Sequence, residues 1–196
     1  MKEYIKELGQ IKIIQCNFSQ YSSRYDALLA GNITNVFDPT FCGGALVDIN
    51  LYNIHFVMNA FGRPTNVNYF VNKHQNGIDT SGIAILQYDG FIAECVGAKD
   101  TRSKNMAQIQ GEKGYLCVSS TSGVQEVEVY IGDKQETFNL QDSKNNLYYE
   151  TGVFRDLYNA KDFTTCYQLL DYSMDVLRTI VALRKDGGVI FPTDSI

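Results

Sequence analysis

Apolar and polar positions alternate with a period of two through most of the middle of the chain, and recur at helical spacing in three other stretches. The two-residue period is that of a half-buried strand. It predicts strands in IKIIQCNF (11–18), NVNYFVNK (66–73), TSGIAILQY (80–88), FIAECVGAK (91–99), KNMAQIQG (104–111), GYLCVSS (114–120), VQEVEVYIG (124–132) and KQETFNL (134–140). Asp89-Gly90 is a preferred two-residue hairpin turn, so the strands on either side of it pair antiparallel, and Gly111 to Gly114 and Gly132-Asp133 mark further reversals. The helical spacing occurs in FCGGALVDINLYNIHFVMNAFG (41–62), YETGVFRDLYNA (149–160) and CYQLLDYSMDVLRTIVALRKDGG (166–188). The last of these closes with Arg184, Lys185 and Gly187-Gly188, the basic residues and glycines that end a helix. Successive antiparallel strands with separate helices define an α+β fold: one open, mainly antiparallel sheet with helices packed on one face, in a single domain spanning 1–196. The apolar alternation in VEVYIG and IAILQY is too strong for a bare second sheet face, which predicts a partner chain or a second domain as its cover.

Within 41–62, Val47, Leu51, Ile54, Met58 and Phe61 form one stripe of the helix, fit to pack on the sheet. Asp48, Tyr52, His55 and Asn59 share a narrow arc on another side, between apolar Ile49 and Phe56. Such an arc either faces solvent or aligns a carboxylate, a phenol and an imidazole on one ligand. A tyrosine beside a fixed carboxylate can exchange a proton with a substrate hydroxyl or carbonyl. Gly43-Gly44 removes two Cβ atoms at the N-terminal end of the helix, where backbone amides can approach a ligand closely.

Composition narrows the classes. With 196 residues, 44% hydrophobic and 20% charged, the chain is an ordinary soluble globular protein. Its net charge of -5 and lack of a basic block leave no electrostatic footprint for nucleic acid or an anionic membrane. No apolar run approaches the roughly 20 residues of a membrane-spanning helix, and the charged N-terminus is no signal peptide, which points to the cytoplasm. The five cysteines are widely spaced without a CxxC pair and read as reduced core thiols; only two histidines, His55 and His74, are present, so no metal site is expected.

GGALVDINLY (43–52) resembles the GGALxDxGxY segment of the glucose-fructose oxidoreductase, inositol dehydrogenase and rhizopine-catabolism family. NGIDTSGIAILQYDGFIAECVGA, AQIQGEKGYLCV and YSMDVLRTIVALRKDGGVIFPTD are similar to later segments of the same family, in the same order, so the likeness covers nearly the whole chain. Tyrosine in the place of histidine makes the dihydrodiol dehydrogenase and xylose dehydrogenase subgroup the nearest in kind. The resemblance implies a two-domain NAD(P)-dependent oxidoreductase acting on a sugar-like or diol CH–OH group. This chain matches the second domain, which carries substrate recognition and the dimer sheet. No GxGxxG opens a βαβ unit, so the N-terminal Rossmann domain lies outside this chain, as in a fragment or a split product, and the chain alone is expected to bind neither NAD nor NADP and not to catalyse. By the same resemblance Tyr52 is the general acid/base, Asp48 its carboxylate partner, His55 a contact to a substrate hydroxyl, and Gly43 and Gly44 lie close to the cofactor. Cys42 stands where a third glycine is common, and Asn50 replaces the glycine of DxG, which suggests an altered contact near the cofactor. A homodimer through the sheet face is implied, with a small polyol or sugar-like molecule as substrate; the other reading is a non-catalytic binding or assembly module that uses that face.

Two further clusters carry alternatives. SQYSSRYD (19–26) is either a surface loop or the lining of a sugar pocket, in which Arg24, with Asp26 as its charge pair, and Tyr25 would contact substrate. Lys99, Asp100, Arg102 and Lys104 read as a solvated turn in preference to an anion site, and His74 as an exposed turn residue.

Overall fold

The first strand of the chain lies in the middle of the sheet. The computed structural model describes residues 2–195 except 140, 142–144 and 146. A short helix α1 (Lys2–Glu7) leads into β1 (Ile11–Ser19), followed by α2 (Ser23–Leu29), the helix α3 (Leu51–Phe61) and seven strands: β2 (Asn66–Lys73), β3 (Asp79–Tyr88), β4 (Phe91–Ala98), β5 (Met106–Gly111), β6 (Gly114–Val118), β7 (Val127–Ile131) and β8 (Lys134–Phe138). Two helices, α4 (Tyr148–Ala160) and α5 (Phe163–Asp186), close the chain. The strands form one sheet in the order β2-β3-β4-β1-β5-β6-β7-β8. β1 runs parallel to β4 and antiparallel to β5, and every other neighbouring pair is antiparallel. The fold is therefore α+β with an open, mixed sheet. The hairpin at Asp89-Gly90 forms as its sequence dictates: Gly90 takes φ 86°, Tyr88 pairs with Phe91, and the two rings stack 4.7 Å apart. The strands expected at 104–111, 114–120 and 124–132 are shorter than their patterns, and that at 134–140 ends at Phe138; its expected last residue, Leu140, lies outside the described residues.

One face of the sheet holds the core. Ile14 and Cys16 of β1, Leu86 of β3, Cys95 of β4, Ile109 of β5, Leu116 of β6 and Val129 of β7 are all buried there. α3 lies against β1 and β4, and α5 against β2. On the other face Ile13, Ile83, Ile92 and Tyr130 are 38–48% exposed. Of the five cysteines, Cys16 and Cys95 are free thiols in the core, directly paired across β1 and β4, whereas Cys42 and Cys117 are half-buried and Cys166 is exposed; the reading of all five as core thiols is corrected by the last three.

The C-terminal half of α5 is pinned at several points. Asp186 accepts a hydrogen bond from the Tyr69 amide at 2.7 Å. Arg184 donates to both oxygens of Asp194 at 2.6 Å while its guanidinium lies 4.2 Å from the centre of the Phe191 ring. α4 buries none of its residues, and in the first half of α5 Phe163, Tyr167 and Leu170 remain exposed.

The segment 41–62 departs from its pattern. It is not one regular helix: a π-helical turn (Leu46–Asn50) precedes α3. A wide turn of this kind rotates the residues that follow about the axis. The expected stripe of Val47, Leu51, Ile54, Met58 and Phe61 is thus only partly right, since Val47, Leu51 and Phe61 stay half-buried at the rim. The core receives Ile54 and Met58 of that stripe, joined by Leu46 and Val57 and by two asparagines, Asn50 and Asn53, both fully buried. Asn50 Nδ2 donates to the Cys95 carbonyl at 2.9 Å and Asn53 Nδ2 to the Val96 carbonyl at 2.9 Å, while Asn50 Oδ1 accepts from Asn53 and Asn53 Oδ1 from the Thr121 hydroxyl, so both buried amides are satisfied. Gly97 makes room for Asn50, whose side chain occupies the place a Cβ there would take. Asn50 is a sheet contact, and the altered cofactor contact suggested for it is corrected.

Candidate functional site

The N-terminal end of the 41–62 segment is closed by the chain itself. Gly44 adopts φ 121°, and a Cβ on it would fall on Asp79 Oδ1. Asp79, at the start of β3, sends its other oxygen Oδ2 to the Leu46 amide at 2.6 Å and receives the Tyr69 hydroxyl at 2.8 Å. A Cβ on Gly43 would lie 2.6 Å from the Val36 carbonyl oxygen. The two glycines let Asp79 and the 35–37 turn approach, and the amide end that was expected to meet a ligand already holds a carboxylate. Burial pushes both the Asp79 carboxyl and the Tyr69 phenol up. Gly43 also borders a depression of about 250 Å³ with Val47 and Asp48.

One turn further on, the segment opens onto a larger cleft of about 540 Å³. Asp48 and Tyr52 form one wall, and the end of β1, the loop after it and the first turn of α2 form the other through Phe18, Tyr21 and Arg24. Tyr52 is 41% exposed and its ring packs 5.6 Å from that of Phe18, which leaves its hydroxyl without a hydrogen-bond partner among the described residues. Lys99 at the end of β4 reaches in from below and forms an ion pair with Asp48 Oδ2. Lys99 does not lie in the solvated turn expected for its charged cluster: its side chain is 7% exposed, and its backbone is tied to Thr80 and to Ser22, each at 2.9 Å. Its neighbour Asp100 accepts the hydroxyls of Thr80 and Ser81, while Arg102 and Lys104 are exposed.

Three of the expected site residues thus meet: Asp48, Tyr52 and Arg24. His55 does not join them. It faces α5, where its Nδ1 lies 3.1 Å from the Tyr172 hydroxyl, and that hydroxyl donates to the His55 carbonyl at 3.1 Å. Burial lowers the imidazole from its usual range and pushes the Tyr172 phenol up to about 12, so this is a contact between neutral groups. Tyr25 also turns away, its ring 6.0 Å from buried Phe37, and Tyr21 lines the cleft in its place. Arg24 is not the partner of Asp26, which accepts the Tyr21 hydroxyl at 2.6 Å; the guanidinium has no partner among the described residues. His74, expected to be exposed, is half-buried and lies 2.9 Å from Asn76 Oδ1 in the β2–β3 turn. Among the described residues no three His, Cys, Asp or Glu side chains are grouped to hold a metal ion, and no helix is long and apolar enough to cross a membrane.

A phenol with an unused hydroxyl, a carboxylate one turn away and a buried ammonium behind it can bind a hydroxylated molecule and exchange a proton with it. A family model described as "GFO/IDH/MocA C-terminal domain" matches residues 1–117. The chain belongs to that family. Its relatives include scyllo-inositol 2-dehydrogenase (NADP(+)) IolU of Bacillus subtilis, 30% identical over 99% of this chain and 60% of that protein. The trans-1,2-dihydrobenzene-1,2-diol dehydrogenase of Macaca fascicularis is 24% identical over 95% of this chain and 57% of its own length. In fold, this GFO/IDH/MocA domain superposes on an inositol dehydrogenase homolog of Azotobacter vinelandii, solved with NAD+, with a TM-score of 0.73 at 13% identity, over 95% of this chain and 60% of that one. The chain therefore spans less than two thirds of the length of these proteins.

Proposed function

We propose that this domain is the substrate-binding half of an NAD(P)-dependent oxidoreductase that oxidises or reduces a CH–OH carbon of a small polyol, sugar or diol. The observation that carries the reading is the cleft: Tyr52 with its free hydroxyl beside Asp48, at positions the family resemblance reserves for the acid/base pair. Tyr52 takes the proton from the substrate hydroxyl or returns it to the carbonyl. Asp48 accepts a hydrogen bond from a neighbouring hydroxyl and so fixes which carbon faces the hydride path. The sequence contains no GxGxxG motif. The one strand-to-helix connection near the cleft, Gln20 to Ser22 between β1 and α2, contains no glycine and cannot bring its amides around a pyrophosphate. NAD or NADP belongs to a separate Rossmann unit, and the isolated chain binds the substrate without turning it over. The exposed isoleucines 13, 83 and 92 support pairing of two copies through the sheet face. The free thiols are in keeping with a cytoplasmic setting.

The test is a titration of the 15N-labelled chain with scyllo-inositol, myo-inositol and D-xylose in the millimolar range. Amide shifts centred on Asp48, Tyr52 and Arg24, and weakened in Tyr52→Phe, are expected for at least one of the three. Shifts that ignore these residues, or none with any of the three, would overturn the reading.

A further inference from the structure

Lys99 presents an asymmetry. Its side chain is 7% exposed, yet the carboxylate it meets is 39% exposed and could be served by water. Burying an ammonium is costly unless it is paired, so a half-solvated Asp48 does not by itself account for a lysine at this position. The lysine is also built in from several sides. Its amide donates to the Thr80 carbonyl and its own carbonyl accepts from the Ser22 amide, which clamps it between β3 and the loop that opens α2, and its Nζ lies 5.9 Å from the centre of the buried Phe37 ring. Fixed in this way, the ammonium engages only Oδ2 of Asp48, and Oδ1 has no partner among the described residues. A half-exposed carboxylate has several side-chain rotamers open to it, and one charge-assisted bond from an immobile donor selects among them.

We propose that Lys99 is a positioning residue of the cleft: it holds Asp48 by Oδ2 and thereby presents Oδ1 to a hydroxyl of a vicinal diol beside Tyr52. The inference rests on the reading of the cleft as a polyol site. The pairing has a second effect. When a neutral polyol covers Asp48 and displaces its water, the carboxylate is already compensated from behind, so closing the cleft does not strand a charge. A site fixed beforehand also loses less conformational freedom on binding.

The experiment is a titration of the 15N-labelled chain with scyllo-inositol, for wild type, Asp48→Asn, Lys99→Met, Lys99→Arg and the Asp48→Asn/Lys99→Met double variant, each checked for a folded spectrum. Asp48→Asn and Lys99→Met are each expected to weaken binding about tenfold, the double variant no more than either alone, and Lys99→Arg to recover to within about threefold, as expected when two residues supply one hydrogen-bonded contact. Should Lys99→Met not fold, Lys99→Gln takes its place in the same cycle. Losses that multiply in the double variant, or an arginine no better than methionine, would overturn the positioning role. Full affinity in Lys99→Met beside a weakened Asp48→Asn would overturn it as well while leaving the polyol reading intact. Wild-type affinity in Asp48→Asn, or no binding by the wild-type chain, would remove both.

Discussion

Two carboxylates serve the same helical segment and are treated in opposite ways. Asp79 is 1% exposed and its Oδ2 is taken by the Leu46 amide and the Tyr69 hydroxyl, with Gly44 lying against the other oxygen. Asp48, on the turn that Asp79 caps, is 39% exposed and keeps one oxygen without a partner. Burial, with two donors on one oxygen and the backbone packed against the other, makes the first a fixed part of the fold. Partial satisfaction, with the positive charge supplied from below, makes the second available to a ligand. The difference separates a structural acid from a candidate functional one without reference to residue type, since both are aspartates, one bonded to the segment and the other carried on it.

Removing each carboxylate in turn tests this division. Asp79→Ala leaves a buried phenol and a helix-end amide without an acceptor and is expected to cost about 3 kcal/mol or more, whereas Asp48→Asn, which keeps an oxygen for Lys99, is expected to cost about 1 kcal/mol. Denaturant unfolding of the two variants gives both values, and equal losses would erase the distinction. The second contrast concerns chemistry alone. In the chain joined to a nucleotide-binding unit, Tyr52→Phe is expected to lower turnover about a hundredfold, as loss of a general acid/base does, with the unfolding midpoint unchanged. Undiminished turnover on the true substrate would return Tyr52 to a packing role against Phe18.

The smallest expected effect is on pH. Because burial raises the Asp79 carboxyl above its unfolded value, the native state holds a proton that the unfolded state has released, between the ordinary carboxylate value and the raised one. Stability contributed by this group is therefore present below that window and falls as pH rises through it. Asp79→Asn should flatten the decline, and a wild-type curve indistinguishable from that of the variant across weakly acidic pH would contradict it.

Much of the fold was legible because its signals are local. The alternation at 80–99 and Asp89-Gly90 led directly to a hairpin, and the apolar spacing at 166–188 to α5. The place of β1 was not legible: parallel pairing with β4 is a contact between distant segments, and nothing in IKIIQCNF distinguishes a central strand from an edge. The wide turn at Leu46–Asn50 has no sequence signature either. It changed which residues meet the sheet, so Asn50 and Asn53 read as polar while acting as buried donors to β4 carbonyls. In the candidate site, Asp48 and Tyr52 stand out by family likeness, and Arg24 by residue type alone, as one of two readings of the 19–26 loop. Lys99 was missed because a charged cluster reads as solvated; the signal available was its position directly after the apolar strand FIAECVGA, whose end the fold buries. His55 was misplaced because helical spacing alone cannot show that α5 covers that side.

The central place of β1 has a consequence for how the chain is made. Gln15 and Glu94, bonded side by side in the sheet, are 79 positions apart. During synthesis β1 is complete long before β4 and β5 exist, so the first strand of this sheet to be made pairs only after both of them. Until then its apolar inner residues, Ile14 and Cys16, must wait uncovered, and closing so long a loop is slow. Its polar outward residues, Gln15 and Asn17, keep this waiting strand from being apolar on both sides and make it less ready to pair with the wrong edge of another nascent chain.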